Sequence, residues 1–214
     1  MTSTLTRRGL TLALAALPLP ALAQRAAPAL SAADQALVNR AATYLQGLTE
    51  AKARFVQTDA RGAQSTGSLF LRRPGKARFA YDPPSGLLVV ADGGNVSIQD
   101  QRLKTFDRYP LAMTPLSLFL AKQIRFDKSV QITRVTRFAD GFAITARDAR
   151  RQAEGQITLN FTDAPLALAG WTITDAQGGA TRVRLTGLTR ASGLANTLFV
   201  LNDPRPKNVG RGKM

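Results

Sequence analysis

Residues 67–84, GSLFLRRPGKARFAYDPP, decide the fold of this chain, because they predict two strands joined by a tight turn. Proline fixes φ near −65° and glycine tolerates positive φ, so Pro74-Gly75 predicts that turn. Side chains alternate between the two faces of a strand, which places Leu69, Leu71 and Arg73 on one face. Arginine at the end of an apolar face is costly to bury without a partner, so Arg73 stands out.

The second arm of this hairpin repeats the alternation, with Ala77, Phe79 and Tyr81 on one face. Further short strands, separated by turn signals such as Asp92-Gly93, are predicted before and after the hairpin. Their number and regular spacing favour a barrel or a strongly curved sheet. The predicted fold class is mainly β with a helical lid (α+β), an incomplete antiparallel β-barrel of about ten or eleven strands. The predicted strands cover residues 53–58, 67–71, 77–81, 86–91, 96–100, 103–106, 130–137, 141–147, 155–161, 170–174, 181–188 and 198–201.

Two helices are predicted among these strands. Ser31 followed by Asp34 forms a capping box, and apolar residues then recur at helical spacing as far as Leu48. Later, Thr114 is predicted to cap a short helix with Pro115 in its first turn. That short helix is apolar on most of its circumference, which predicts that it lies over an apolar concavity. Its apolar residues are Leu116, Leu118, Phe119 and Leu120.

The composition argues against an enzyme. The chain contains no histidine and no cysteine, which excludes Cys-His and Ser-His-Asp arrangements and thiolate metal sites. No metal or other cofactor is therefore expected. The formal charge of +15 indicates an anionic partner, which could be nucleic acid, anionic lipid head groups or acidic proteins.

The first 23 residues have the pattern of a cleavable export signal. Arg7-Arg8 form a positive start, an apolar run from Leu10 to Leu17 follows, and Ala21-Leu22-Ala23 offers a small-x-small cleavage site. We therefore expect residues 1–23 to be removed and the product to reach the periplasm, where nucleic acid is a poor candidate partner. Residues 24–204 are then predicted to form a single domain, followed by a basic tail at 205–214.

The mature chain resembles the LolA-type family of periplasmic carriers of outer-membrane lipoproteins. The resemblance covers essentially residues 31–204 and is most specific at the Arg-Pro hairpin and the Asp-Gly turn. The matching residues are Phe55-x-Gln57, Gly67-x-Leu69, Arg73-Pro74, Phe79, Tyr81, Pro84, Val89, Ala91-Asp92-Gly93, Thr114-Pro115-Leu116 and Phe199 to Pro204.

This resemblance implies a half-open barrel whose helices form a lid over an apolar cavity. The cavity would receive the acyl chains of a lipoprotein from an inner-membrane ABC transporter and deliver them to an outer-membrane receptor, with the carrier acting as a monomer. The family's lid-holding arginine corresponds to Arg73, whose guanidinium would donate to lid carbonyls in the closed, empty state. The cavity-lining candidates are Leu69, Leu71, Phe79, Tyr81, Val89 and Phe119, whereas Trp171 is interpreted as core.

Two other functions stay open at this stage. The same fold could carry a glycolipid or another free lipid. Alternatively, the protein could be a periplasmic sensor or adaptor in which the cavity is only a hydrophobic core.

Overall fold

The computed structural model describes residues 30–124, 130–149 and 155–204. In these residues eleven antiparallel strands form one sheet, in the order β6-β5-β4-β3-β2-β1-β11-β10-β9-β8-β7. The predicted signal at 1–23 and the basic tail at 205–214 lie outside the described residues. None of the helices in the described part is both long enough and apolar enough to cross a membrane.

In the described residues two α-helices accompany the sheet, and two single 3-10 turns lie at Leu111–Met113 and Asn196–Phe199. The helices are α1 (Ala32–Gly47) and α2 (Leu116–Leu120). The strands are β1 (Glu50–Thr58), β2 (Gln64–Arg72), β3 (Lys76–Tyr81), β4 (Leu87–Asp92), β5 (Asn95–Asp100), β6 (Thr105–Pro110), β7 (Val130–Arg137), β8 (Gly141–Asp148), β9 (Gln156–Asp163), β10 (Leu166–Thr174) and β11 (Ala180–Arg190).

Side-chain contacts show that the sheet is strongly curled. Neighbouring strands lie about 4.8 Å apart, so β3 and β10, four strands distant, would be roughly 19 Å apart in a flat sheet. Yet the ring centroids of Phe79 on β3 and Trp171 on β10 are only 5.9 Å apart. The inner faces of the two halves therefore meet, and among the described strands β6 and β7 form the two edges of the sheet. This open, curled sheet confirms the predicted incomplete barrel.

The hairpin at residues 67–84 forms as predicted. Leu69 pairs with Phe79 and Leu71 pairs with Ala77, so their side chains share the inner face. All four are buried, and three of them are only 1% exposed. Pairing of this kind fixes the register, because a slip by one residue would turn every apolar side chain outward.

Two sequence-based predictions of local structure are wrong. Residues 198–201 are not a strand, since Asn196–Phe199 form a 3-10 turn instead. Thr114 does not cap α2 with its side chain; its hydroxyl donates to the Leu111 carbonyl, and Pro115 occupies the N-cap position. In both cases the backbone is held by partners distant in sequence or by a preceding turn, which local propensity does not register.

The segment 191–204, here called the C-terminal strap, lies across the outer face of the first half of the sheet. Arginines on three different strands donate to its carbonyls: Arg72 to Leu194 O at 2.6 Å, Arg78 to Leu198 O at 3.0 Å and Arg108 to Leu201 O at 3.2 Å. Phe199 of the strap, and Val90 and Ser97 on the sheet, are almost completely buried. The strap thus gives this half of the sheet a second, outer layer.

Candidate functional site

Arg73 lies at the turn between β2 and β3 and is only 8% exposed. Its two terminal nitrogens donate to backbone carbonyls of different helices: Nη1 to Leu45 O in the last turn of α1, and Nη2 to Ala121 O, 2.7 Å away, just after α2. We call this arrangement the arginine clasp. It joins the two helices through one side chain from the sheet.

The arginine clasp buries a positive charge that is only partly compensated by hydrogen bonds. The described residues supply Arg73 with carbonyl acceptors but no carboxylate, and its Nε is buried without a hydrogen-bond partner. Burial lowers the pKa of the Arg73 guanidinium, but arginine starts so high that the group stays protonated at neutral pH. An unpaired buried donor costs about 1–3 kcal/mol, so the closed arrangement is only partly satisfied. Such a clasp suits a contact that opens and closes.

The two helices differ in how they are attached to the sheet. On α1, Asp34 accepts from Arg137 of β7 and Arg40 donates to Asp163 of β9, both at 2.7 Å. Tyr44 also packs edge-on against Phe161. These contacts fix α1 to the second half of the sheet.

The end of α2 is held mainly by backbone acceptors. Besides the clasp, the Gly75 amide donates to Leu120 O at 2.8 Å. Gln46 on α1 forms two hydrogen bonds with the segment that follows α2. Its Nε2 donates to Lys122 O at 3.1 Å, and its Oε1 accepts from the Ile124 amide at 3.0 Å. Gln46 therefore joins α1 directly to the segment that follows α2.

Replacing Gln46 with alanine should loosen this segment. We expect the Ile124 amide to exchange with solvent about fivefold faster, because an exposed pair of neutral hydrogen bonds contributes roughly 1 kcal/mol. Hydrogen exchange measured by NMR checks this. Gln35→Ala is the matched control, since Gln35 lies on the same helix but bonds only to Asn39 within it; equal exchange in the two variants would contradict the assignment.

A small apolar cavity of about 160 Å³ lies between the two halves of the inner face. Aromatic and aliphatic side chains dominate its wall, and α2 contributes Leu116 from above. The lining residues are Gln57, Phe79, Tyr81, Val89, Leu116, Trp171, Ile173, Thr181 and Val183. The cavity is partly open to solvent, and its volume is comparable to that of an engineered apolar cavity of about 150 Å³ that binds benzene.

A column of aromatic rings runs from the sheet to the lid beside this cavity. Phe119 of α2 stacks on Trp171 with centroids 5.6 Å apart, and Trp171 meets Phe79 edge-on. Phe55 continues the column, packing edge-on against both Phe79 and Tyr81. Phe119 is thus the group by which α2 fills the interior in the closed form.

The structure distributes the predicted cavity residues over two environments. Phe79, Tyr81 and Val89 line the cavity. Leu69 and Leu71 are 1% exposed on the same inner face and do not line the closed cavity, and Phe119 is 2% exposed against Trp171. Their contact with a ligand in an opened form stays a prediction.

Trp171 and several other lining residues were not among the sequence-based candidates. Trp171 is buried, as predicted, and also forms part of the cavity wall. Ile173 follows it by two positions on β10, and Gln57 follows Phe55 by two on β1, so strand alternation was the available signal. The carbonyls of Leu45 and Ala121 could not be found in this way, because every residue has one.

Tyr81 is one of the polar residues of the cavity wall, and its hydroxyl donates to Oε1 of Gln57, another lining residue, at 2.6 Å. Burial raises the pKa of Tyr81 to about 12 from the usual 10. Below pH 10 the folded and unfolded chains both keep this proton; above it the unfolded chain loses the proton first, so stability falls as pH rises.

The Tyr81→Phe variant should therefore lose less stability in alkali than the wild type. Between pH 9 and pH 11, which is one unit above the pKa of a free tyrosine, we expect the free energy of unfolding of the wild type to fall by about 1.4 kcal/mol more than that of the variant. Urea unfolding of both proteins at the two pH values measures it. Parallel losses in the two proteins would show that Tyr81 titrates normally.

Comparison with known proteins shows which proteins this chain is similar to. The family model described as outer membrane lipoprotein carrier protein LolA matches residues 46–202. A protein of Methylobacillus flagellatus named outer-membrane lipoprotein carrier protein is 28% identical over an alignment of 165 residues, and the match covers 73% of this chain and 78% of that protein.

Solved structures of low sequence identity are also similar to this chain. A DUF1329 family protein from Desulfovibrio piger is similar with a TM-score of 0.50 and 10% identity, covering 78% of this chain and 96% of that one. A LolA superfamily protein from Nitrosomonas europaea has a TM-score of 0.45 and 11% identity over 78% of this chain and 97% of its own. Since the family model spans most of the chain, from the end of α1 to the C-terminal strap, this chain belongs to the LolA family of outer membrane lipoprotein carrier proteins.

Proposed function

We propose that this protein binds the acyl chains of lipoproteins beneath α2 and carries them across the periplasm. It receives them from an inner-membrane lipoprotein-releasing ABC transporter and delivers them to an outer-membrane receptor. It acts by binding and release rather than by catalysis. Family membership and the carrier name of the Methylobacillus relative support this assignment.

The observation that carries the proposal is the arginine clasp. A structural arginine is usually exposed or paired with a carboxylate, whereas Arg73 is buried and its acceptors are carbonyls of two separate helices. The clasp therefore stabilises one arrangement of α1 and α2 over the cavity. A ligand that needs the space under α2 must break it.

The small size of the cavity supports a closed arrangement of α2 over the inner face. About 160 Å³ accommodates a group the size of benzene, not a long acyl chain. Room for a chain has to come from moving α2 and withdrawing Phe119 from Trp171. Each methylene then buried contributes roughly 0.8 kcal/mol, and the cost of opening the clasp offsets part of this gain. That balance lets the cargo be bound and still be released.

Depletion of the protein in its host tests the transport role. We expect mature lipoproteins bound for the outer membrane to accumulate in the inner membrane, as measured by membrane fractionation. Normal sorting after depletion would contradict the proposal.

Analysis of the bound ligand separates the proposed cargo from a free lipid. Mass spectrometry of the protein purified from the periplasm should find acylated lipoprotein. A glycolipid or other free lipid in its place would favour the alternative carrier, and failure to take up any acyl chain or hydrophobic dye would favour a sensor or adaptor.

A further inference from the structure

The outer face of the second half of the sheet is polar and positively charged. Strand pairing aligns one row across it: Arg134 opposite Thr145, then Thr158, Thr172 and Arg182. The threonine side chains are short, so they project less far from the sheet than the arginines at the two ends of the row. Arg134 on β7 and Arg182 on β11 are separated by four strand spacings, roughly 19 Å along the sheet.

A second row, two residues along the strands, also lacks large apolar side chains and has an arginine at one end. It runs from Thr136 through Ala143, Asn160 and Gly170 to Arg184. Together with Lys52 on β1, the cations Arg134, Arg182 and Arg184 form what we call the outer basic face. All four side chains are exposed.

The described residues leave these four cations unneutralised. None of them forms an ion pair or a side-chain hydrogen bond with another described residue. The two rows contain no acidic residue, and the nearby carboxylates of Asp59 and Asp175 accept hydrogen bonds from backbone amides of their own turns. The positive potential of this face is therefore available to a partner.

The other half of the sheet shows that this exposure is not general. There, Arg72, Arg78 and Arg108 are occupied in holding the C-terminal strap. Arg54, at the border between the halves, pairs with Asp82. Within the strands that the structure describes, arginine side chains without a partner occur only in the half that the strap leaves uncovered.

The composition of this face favours a lipid surface over a protein partner. Protein interfaces depend on a few buried aromatic or large apolar anchors, and besides arginine the two rows contain only Thr, Ala, Gly and Asn. Widely spaced cations on a surface with no anchor match an array of head-group phosphates, which binds through charge without insertion. We propose that the outer basic face docks this protein weakly and reversibly on anionic phospholipid membranes.

Vesicle binding by the purified protein tests this proposal. We expect cosedimentation with vesicles of phosphatidylcholine and phosphatidylglycerol at low salt, loss of binding at high salt, and none with phosphatidylcholine alone. The double variant Arg182→Gln, Arg184→Gln should bind about 30-fold more weakly, since each cation near an anionic surface contributes about 1 kcal/mol.

The matched control is the double variant Arg102→Gln, Lys104→Gln. It removes the same charge from the turn between β5 and β6, far along the sheet from the outer basic face. Circular dichroism verifies that both variants are folded. Equal losses in the two variants would mean that net charge alone drives binding, and unchanged binding in the Arg182, Arg184 variant would exclude this face; either result overturns the proposal.

A soluble acidic polymer distinguishes the remaining partner class. If polyglutamate binds in an Arg182- and Arg184-dependent way while phosphatidylglycerol vesicles do not, the face recognises acidic protein and the membrane proposal is wrong. These measurements need no cargo, so their outcome is independent of the carrier function.

Discussion

The Arg73→Leu variant should take up acyl cargo but release it roughly a hundredfold more slowly. Leucine removes both donors to the carbonyls of Leu45 and Ala121, so the closed form loses two charge-assisted hydrogen bonds. Each contributes about 1.5–3 kcal/mol, and the combined loss weakens closing by about 3 kcal/mol or more. In the proposed mechanism closing expels the cargo, so the open, loaded form becomes the favoured one in this variant.

The transfer of a labelled lipoprotein from the protein to outer-membrane vesicles measures this effect. Arg72→Leu is the matched control, because it makes the same substitution one residue away, on a side chain that contacts the C-terminal strap instead of the lid. Slow transfer by the Arg73 variant alone is expected. If the Arg73 variant transfers the lipoprotein at the wild-type rate, the arginine clasp has no role in release.

Truncating Trp171 should have the largest effect on stability. The ring is 1% exposed, stacks on Phe119 and meets Phe79, so the Trp171→Ala variant leaves a large void between the lid and the sheet. Substitutions of this kind cost about 3–5 kcal/mol, a large share of the total stability of a domain. The variant should also have a larger cavity and bind small apolar molecules more readily.

Urea unfolding followed by circular dichroism measures this loss, since the variant no longer contains a tryptophan for fluorescence. The exposed Leu103 provides the control: Leu103→Ala, at 58% exposure, should leave the midpoint nearly unchanged. A loss below about 1 kcal/mol for the Trp171 variant would show that the aromatic column contributes little to the fold.

Strand alternation and turn residues predict most of this fold. The hairpin around Pro74-Gly75, the turn after Asp92 and helix α1 all follow from local patterns, and the structure confirms them. The segment at Phe199 did not follow from its sequence, because its conformation depends on arginines more than 90 residues away that hold its carbonyls. Apolar content alone predicted a strand where tertiary contacts impose a turn.

The site was predictable to the extent that it depends on side chains. The position of Arg73 beside Leu69 and Leu71 marked it as unusual, whereas its acceptors are backbone atoms and leave no trace in the sequence. Likewise, the meeting of Phe79 with Trp171 depends on how far the sheet curls, which no local pattern encodes.

Fluorescence of Trp171 tests the central claim most directly. This is the protein's only tryptophan, and it lies in the cavity wall beneath Phe119. Titration with a lipopeptide whose acyl chains carry bromine atoms, which quench indole on contact, should quench Trp171 strongly, and the same lipopeptide without bromine should not. Binding of the brominated lipopeptide with no quenching would place the acyl chains elsewhere and contradict the account.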